Sequence, residues 1–193
     1  MTQISSCWRH AVAVSTVLSA GLAFASFTSP DRAMAAEDAG LTSRFEDLSS
    51  NGNSNCSREF MESIATLPST SQLKGSCCSP MDLHRYTEQV NGLTQYRDIA
   101  AIPADPYNIP AATAQKAMSY YDMQLTGAEQ HAYDYAMANS DEKGPCCCQC
   151  WRWTLYGGLA KLLIREHGFT GEQIVKVWNL SDGCGGAGEH EHG

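Results

Sequence analysis

Cysteine thiols are the side chains of this sequence most able to do chemistry, and their spacing is unusual. Nine cysteines occur among 193 residues, and four of them lie in GPCCCQCWRW, residues 144–153. Cys77 and Cys78 form a second consecutive pair. Thiolates bind soft metal ions, attack disulfides and can themselves be oxidised to disulfides. The two clusters therefore fit a metal site, a redox pair or a disulfide framework.

Chain geometry limits how neighbouring thiols can pair. Consecutive Cα atoms lie about 3.8 Å apart, whereas disulfides favour Cα separations of roughly 4.4–6.8 Å. Cys146, Cys147 and Cys148 are therefore expected to have separate partners or to share one metal centre. On a helix, Cys150 shares a face with Cys146 and with Cys147. Residues 147–150 also form a C-x-x-C motif, which fits a two-sulfur metal clip and equally a redox disulfide.

Both thiol clusters are predicted to lie at helix starts. Pro145 suits the first position of a helix, which places residues 146–148 in its first turn. Residues 77 and 78 come just before a second predicted helix, with Ser79 as its N-cap and Pro80 as its first residue. Unpaired N–H groups at a helix N-terminus stabilise thiolates, the form of cysteine that binds metal.

The N-terminus resembles an export signal. A weakly basic start precedes the uncharged apolar stretch AVAVSTVLSAGLAF, and Ala33 and Ala35 fit an A-x-A cleavage site. Residues 1–36 are therefore predicted to be a signal peptide cleaved after Ala35 or Ala36, with an uncleaved membrane anchor as the alternative. The mature protein is expected in the periplasm or outside the cell.

Export changes the expected state of the thiols. Outside the cytosol, thiols tend to be oxidised unless they are paired or bound to metal. Removal of the signal peptide removes Cys7 and leaves eight cysteines: Cys56, Cys77, Cys78, Cys146, Cys147, Cys148, Cys150 and Cys184. An even number permits four disulfides, but the sequence does not select among the connectivities.

Composition excludes some functions. The chain has 13 basic and 21 acidic residues and a net charge of −8, so it lacks the basic surface that nucleic-acid binding needs. A negative charge is compatible with binding cations. No membrane span is evident after the N-terminus, so attachment to a membrane is expected only through an uncleaved signal. No hydrolase or transferase motif occurs, and we do not favour an enzyme.

The sequence predicts an all-α fold, a small cysteine-rich bundle of about five to six helices. Residues 37–58, rich in serine, asparagine and glycine, are predicted to be a flexible linker. Residues 59–186 form the predicted helical domain, and residues 187–193 form a disordered tail containing histidine. Periodicity, propensity and Pro residues place helices at 59–68, after 79, at 111–125, at 127–139, at 145–167 and at 171–180.

Local signals define several helix ends. Capping boxes are predicted at Thr126, three residues before a glutamate, and at Thr170, three residues before a glutamine. The long helix after Pro145 is expected to stop at Gly168. Glycines at 157 and 158 either weaken this helix or let another backbone approach closely.

Four further side chains could add metal ligands. Met81 and His84 follow the first thiol pair at helical spacing, with core packing and an exposed polar face as the respective alternatives. His190 and His192 could hold metal loosely, with a disordered tail as the alternative.

The stretch from Pro145 to Cys150 fits the pattern P-C-x-C-x-C. It resembles the motif of the PCYCGC family of exported bacterial proteins, commonly lipoproteins, over about residues 100–184. The resemblance implies a module that binds metal, with Cys146, Cys148 and Cys150 as motif positions. This sequence has cysteine at 147 where the family has tyrosine, has Gln149 where it has glycine, and lacks the lipobox.

The sequence therefore predicts a protein that binds or sequesters a soft metal ion outside the cytosol, with Cu(I) ahead of zinc or mercury. Its partners would be the ion and a protein that donates or accepts it. The predicted ligands are Cys146, Cys148 and Cys150, supported by Cys147, Cys77, Cys78 and Cys184. The alternatives are a thiol-disulfide oxidoreductase that uses Cys147 and Cys150, or a disulfide-stapled structural protein.

Overall fold

A computed structural model describes residues 30–185. The helices and strands of these residues, in chain order, are α1 (Pro30–Ser50), α2 (Arg58–Ile64), β1 (Gln72–Lys74), α3 (Leu83–Leu93), a short 3-10 turn (Thr94–Tyr96), β2 (Asn108–Pro110), α4 (Ala111–Ser119), α5 (Gly127–Asn139), α6 (Trp151–His167) and α7 (Gly171–Ser181). Most of the predicted signal peptide, at 1–29, and the predicted tail at 187–193 lie outside the described residues. None of the helices between residues 30 and 185 is long and apolar enough to cross a membrane.

The predicted helical class is confirmed, with one addition. β1 and β2 form a two-stranded antiparallel sheet in which Leu73 lies opposite Ile109, and both side chains are buried. The sequence predicts an extended or turn segment before residue 111, because its prolines exclude a helix. Each strand is only three residues long, too short for the alternating pattern that predicts strands.

Helix α6 is the centre of the fold. Side chains all around it are buried, which is typical of a helix enclosed by others. It packs against α4 at Gly158, where an added Cβ would overlap the carbonyl oxygen of Ala117. Gly158 thus lets another backbone approach, one of the two predicted roles, while Gly157 makes room for the side chains of Tyr121 and Tyr133.

The predicted helix ends are largely confirmed. Both capping boxes are present: Thr126 begins α5 and Thr170 begins α7. Gly168 ends α6 in the left-handed conformation, with φ of 65°. Helix α4 is shorter than predicted and ends at Ser119 rather than near residue 125. The chain leaves α5 after Asn139 and α7 after Ser181, and both exits lead to cysteines.

The segment 37–58, predicted to be a flexible linker, contains most of the described part of α1. Leu41 and Leu48 of this helix are buried, and Phe45 packs with them against a small second core formed with Tyr86 and Val90 of α3. The three side chains are spaced by four and three residues, which places them on one face of a helix. Only residues 51–57 of the segment are irregular.

We expect Gly158→Ala to destabilise the protein. The new methyl group overlaps the Ala117 carbonyl, and forcing an extra group into a packed interface costs roughly 1–3 kcal/mol. Gly40→Ala in α1 is the matched control, because nothing lies within 4 Å of the added Cβ, and alanine is favoured over glycine in helices by up to about 1 kcal/mol. Denaturant unfolding under identical reducing conditions measures both free energies. Equal stability of the two variants would contradict the close α4–α6 packing.

Candidate metal centre

The eight cysteines between residues 30 and 185 meet in one place. They lie on or next to four irregular segments, each of which follows a helix or strand: Cys56 after α1, Cys77 and Cys78 after β1, Cys146, Cys147, Cys148 and Cys150 after α5, and Cys184 after α7. None of the eight forms a disulfide. All seven of the cysteines that the sequence predicts as ligands are in this cluster, which we call the thiol cluster.

One half of the thiol cluster is centred on Cys78. Its sulfur lies 3.0 Å from that of Cys56, 3.5 Å from that of Cys77 and 3.5 Å from that of Cys148. The sulfurs of Cys56 and Cys148 are themselves 3.9 Å apart. Four cysteines from three different segments are thus in mutual contact.

The other half is centred on Cys184. Its sulfur lies 2.9 Å from that of Cys146 and 2.7 Å from that of Cys147. The Asp182 side chain accepts a hydrogen bond of 3.1 Å from the backbone N–H of Cys184. This carboxylate therefore lies at the edge of the cluster, and it is the only described oxygen ligand grouped with the sulfurs.

The sulfurs form overlapping sets that could each hold an ion. Four sets have ligand atoms within 4.8 Å of one another: Cys78–Cys147–Cys148–Cys184, Cys56–Cys77–Cys150, Cys146–Cys148–Cys150 and Cys146–Asp182–Cys184. A tetrahedral ion with metal–sulfur bonds of about 2.3 Å holds its sulfurs about 3.8 Å apart. Because several cysteines belong to two sets, the geometry is compatible with more than one ion and with shared sulfurs.

The start of α6 differs from the prediction. The helix begins at Trp151 with Cys150 as its N-cap, and residues 146–148 lie in turns before it. The predicted placement of these three thiols in a first helical turn is therefore wrong. A regular helix would turn successive side chains away from one another by about 100°, whereas here all of residues 146–148 reach the same cluster.

The start of α3 also differs. The helix begins at Leu83 with Asp82 as its N-cap, rather than at Ser79 and Pro80. The backbone N–H and the hydroxyl of Ser79 both donate to the carbonyl oxygen of Cys184, at 2.9 and 2.8 Å. The segment that carries Cys77 and Cys78 is thereby joined to the segment that carries Cys184.

The charge of the metal-free thiol cluster is unevenly distributed. Hydrogen bonds from the thiols of Cys146 and Cys77 hold the pKa of Cys150 well below its usual range. The pKa of Cys184 is raised, first by its hydrogen bond with Cys146. The pKa of Cys148 is likewise raised by its hydrogen bond with Cys146. Most of the thiols therefore keep their protons, which a bound metal must displace.

A buried arginine lies beside the thiol cluster. The guanidinium of Arg152 is fully buried and donates to the carbonyl oxygens of Pro106, at 2.5 Å, and Gly75, at 2.9 Å. It lies 4.5 Å from the ring centroid of Trp151 and 5.7 Å from that of Tyr107. Its Nε atom has no hydrogen-bond partner. No carboxylate forms an ion pair with it among residues 30–185.

Arg152 contacts three of the four cysteine-bearing segments. Its partner Gly75 lies two residues before Cys77, Gly183 packs against the guanidinium, and Arg152 itself follows Cys150 by two residues. Burial lowers the pKa of Arg152, and electrostatic interactions with Tyr156 first, then with Cys77 and Cys146, raise it above its usual value. The side chain thus positions the segments and supplies a positive charge next to the thiols.

The additional ligands suggested by the sequence are not brought to the thiol cluster. The sulfur of Met81 accepts a hydrogen bond of 3.6 Å from the Ser49 hydroxyl and packs against the second core. His84 is exposed and lies 3.4 Å from Glu88 in an ion pair when protonated. His190 and His192 lie outside the described residues.

Two members of the site were missed by the sequence reasoning. Cys56 lies in the segment predicted to be a linker, and a lone cysteine there carries no local signal. Only the even total of eight cysteines indicated that it has partners. Asp182, two residues before Cys184, has the spacing of a turn-forming aspartate and no other sign of a ligand.

We expect Arg152→Met to lower the free energy of unfolding by roughly 3 kcal/mol or more, because two hydrogen bonds from a charged donor are lost and their acceptors stay buried. Arg58→Met in α2 is the control, since both side chains of its ion pair with Glu62 are exposed and such pairs contribute less than about 1 kcal/mol. Denaturant unfolding of the two variants under reducing conditions provides the comparison. Similar midpoints would show that Arg152 does not organise the cysteine-bearing segments.

No protein family, no curated protein and no solved structure matches this chain. The resemblance to the PCYCGC family stays a prediction based on the motif at residues 145–150.

Proposed function

We propose that this protein binds several soft metal ions, Cu(I) first among them, in one thiolate centre, and that it sequesters these ions or passes them on outside the cytosol. The observation that carries the proposal is the branching of the sulfur contacts. Cys78 has three sulfur neighbours and Cys184 has two. A disulfide gives each sulfur one partner, whereas a thiolate that bridges two ions gives it several.

The ligand set supports a soft ion. Apart from the Asp182 carboxylate, all grouped ligand atoms of the described residues are cysteine sulfurs, and thiolates select Cu(I), zinc and similar ions over hard cations. A single tetrahedral zinc uses four ligands. Eight clustered sulfurs exceed that number, which favours a centre with more than one ion. Cu(I) is placed first because it is stable with only two or three sulfurs, a number that each overlapping set provides.

The predicted compartment is consistent with this role. An exported protein meets oxidising conditions in which free thiols are lost to disulfides, and bound metal protects them. The partners under this proposal are the ion itself and a protein that delivers or accepts it.

The oxidoreductase alternative is less well supported by the contacts. The short contact of the Cys147 sulfur is to Cys184, while Cys150 is grouped with Cys56 and Cys77 and, separately, with Cys146 and Cys148. No set among the described residues contains both cysteines of the C-x-x-C motif. A disulfide-stapled protein remains an outcome of the experiment, because Cys56 and Cys78, and Cys147 and Cys184, are close enough to be oxidised in pairs.

Anaerobic reconstitution with Cu(I) tests the proposal. We expect native mass spectrometry of the mature protein to show more than one Cu(I) ion per chain, with the buried thiols protected from alkylation when the protein is loaded. The triple variant Cys146→Ser, Cys148→Ser, Cys150→Ser should bind at most half as many ions, because it removes at least one sulfur from each of the four sets. His84→Ala is the control and should bind as many ions as the wild type, because His84 is exposed and apart from the sulfurs.

Three results would overturn the proposal. A protein purified anaerobically with no free thiols and no metal is a disulfide-stapled protein. A single ion per chain contradicts a shared centre. A reversible two-electron reduction confined to Cys147 and Cys150 supports the oxidoreductase instead.

A further inference from the structure

The cysteines of the thiol cluster differ in their exposure to solvent. Cys56 and Cys78 are exposed, whereas Cys146 and Cys184 are 1% and 0% exposed and belong to the hydrophobic core. An incoming ligand larger than a few atoms can therefore reach the sulfurs of Cys56 and Cys78 but not those of Cys146 and Cys184.

Cys148 joins the exposed cysteines to the buried ones. Its half-buried sulfur contacts those of Cys56 and Cys78, at 3.9 and 3.5 Å. It also belongs to a set with the buried Cys146 and Cys150, and to another with Cys184. A continuous series of sulfur contacts thus leads from solvent to the interior of the cluster.

The exposed Cys56 is held in place by the fold. The side-chain amide of Asn53, three residues earlier, donates to the carbonyl oxygen of Gln72 at 2.9 Å and accepts from the backbone N–H of Lys74 at 2.8 Å. Ser57, the next residue after Cys56, caps α2. Fixed at both ends against β1 and α2, Cys56 is positioned beside Cys78 before any ion binds.

We propose that Cys56 and Cys78 form the exchange edge of the metal centre, through which ions pass between the buried sulfurs and a carrier that presents a thiolate to the ion. This inference rests on the proposed function and adds the route and the chemical class of the partner. Cys148 passes the ion between the exchange edge and the buried sulfurs.

The transfer is a ligand substitution. One bond forms between the metal and the incoming thiolate as one bond between the metal and a cysteine sulfur breaks. Neither the metal nor any sulfur changes its oxidation state. The proton released by the incoming thiol is taken up by the displaced cysteine thiolate.

Transfer rates distinguish an exchange edge from two ordinary ligands. If Cys56 and Cys78 only held metal, their removal would weaken retention and speed the loss of ions. If they are the route, their removal leaves the buried ions harder to reach, and transfer slows. The two roles therefore predict opposite signs.

The experiment uses protein loaded anaerobically with Cu(I) and an excess of reduced glutathione as the thiolate carrier, with a chromogenic Cu(I) chelator to report released copper. We expect the variant Cys56→Ser, Cys78→Ser to keep at least half of its copper and to transfer it at least tenfold more slowly per bound ion than the wild type. The matched control, Cys146→Ser, Cys184→Ser, should bind fewer ions and transfer them no more slowly.

Unchanged or faster transfer from the Cys56/Cys78 variant overturns the exchange edge while leaving metal binding intact. A wild-type protein that binds no copper overturns the proposed function itself. If the double variant does not fold, brief alkylation of the loaded wild type followed by peptide mapping replaces it. Cys56 and Cys78 should then be labelled first and transfer should slow as they are labelled; equally rapid labelling of Cys146 or Cys184 contradicts the proposal.

Discussion

The buried guanidinium of Arg152 is the interaction on which the arrangement of the thiols depends. A buried charge is costly unless its hydrogen bonds are made and an opposite charge is near. Two backbone carbonyls and two aromatic rings surround this one, and no carboxylate of residues 30–185 pairs with it. The thiols of Cys77 and Cys146 lie near enough for a negative charge on them to stabilise it, as do the hydroxyls of Tyr156 and Tyr107. The same side chain that fixes the cysteine-bearing segments thus favours a negatively charged cluster. A metal thiolate centre carries such a charge when its thiolates outnumber the positive charges of its ions.

Eight thiolates this close together would repel one another. Protons on the sulfurs remove this repulsion when no metal is bound, and bound metal ions would remove it in the loaded protein. Hydrogen bonding and burial raise the pKa of Cys146, Cys148 and Cys184, whereas hydrogen bonds lower the pKa of Cys150, at the start of α6, and, despite its burial, that of Cys78. Under the proposed function, metal binding would exchange these protons for cations and would therefore be coupled to the stability of the folded state. The helical core beneath, built around α6, supplies packing that does not require the metal. The protein thus consists of a packed helical core and of irregular segments that carry the cysteines.

Local signals in the sequence predict the helices better than they predict the site. The capping boxes at Thr126 and Thr170 and the stop at Gly168 depend on residues within one turn, and the structure has all three. The sequence does not predict helix α1, because its apolar face has few residues and is recognisable only once it is seen to pack against α3. The first turn of α6 was placed too early because Pro145 permits a helix start without requiring one. Close spacing in the sequence indicates six cysteines of the cluster, Cys77, Cys78, Cys146, Cys147, Cys148 and Cys150. Cys184 and Cys56 each stand alone, and Cys56 reaches the cluster through contacts of its segment with β1, which no local pattern records.

Because the sulfurs are unequally buried, the retention of an ion and the rate of its exchange depend on different cysteines. In a site that is exposed throughout, the same cysteines would determine both. Retention of an ion depends on the sum of its bonds to sulfur, and the core-packed cysteines contribute to that sum without being accessible to competitors. The rate of substitution depends on how many sulfurs an incoming ligand can replace one at a time, and that number is set by the exposed side. A centre closed by a hydrophobic core and open at Cys56 and Cys78 can therefore hold ions tightly and still give them up to a carrier of the right chemistry. Four converging segments achieve this arrangement, because a ligand set on one helix would expose all of its sulfurs alike.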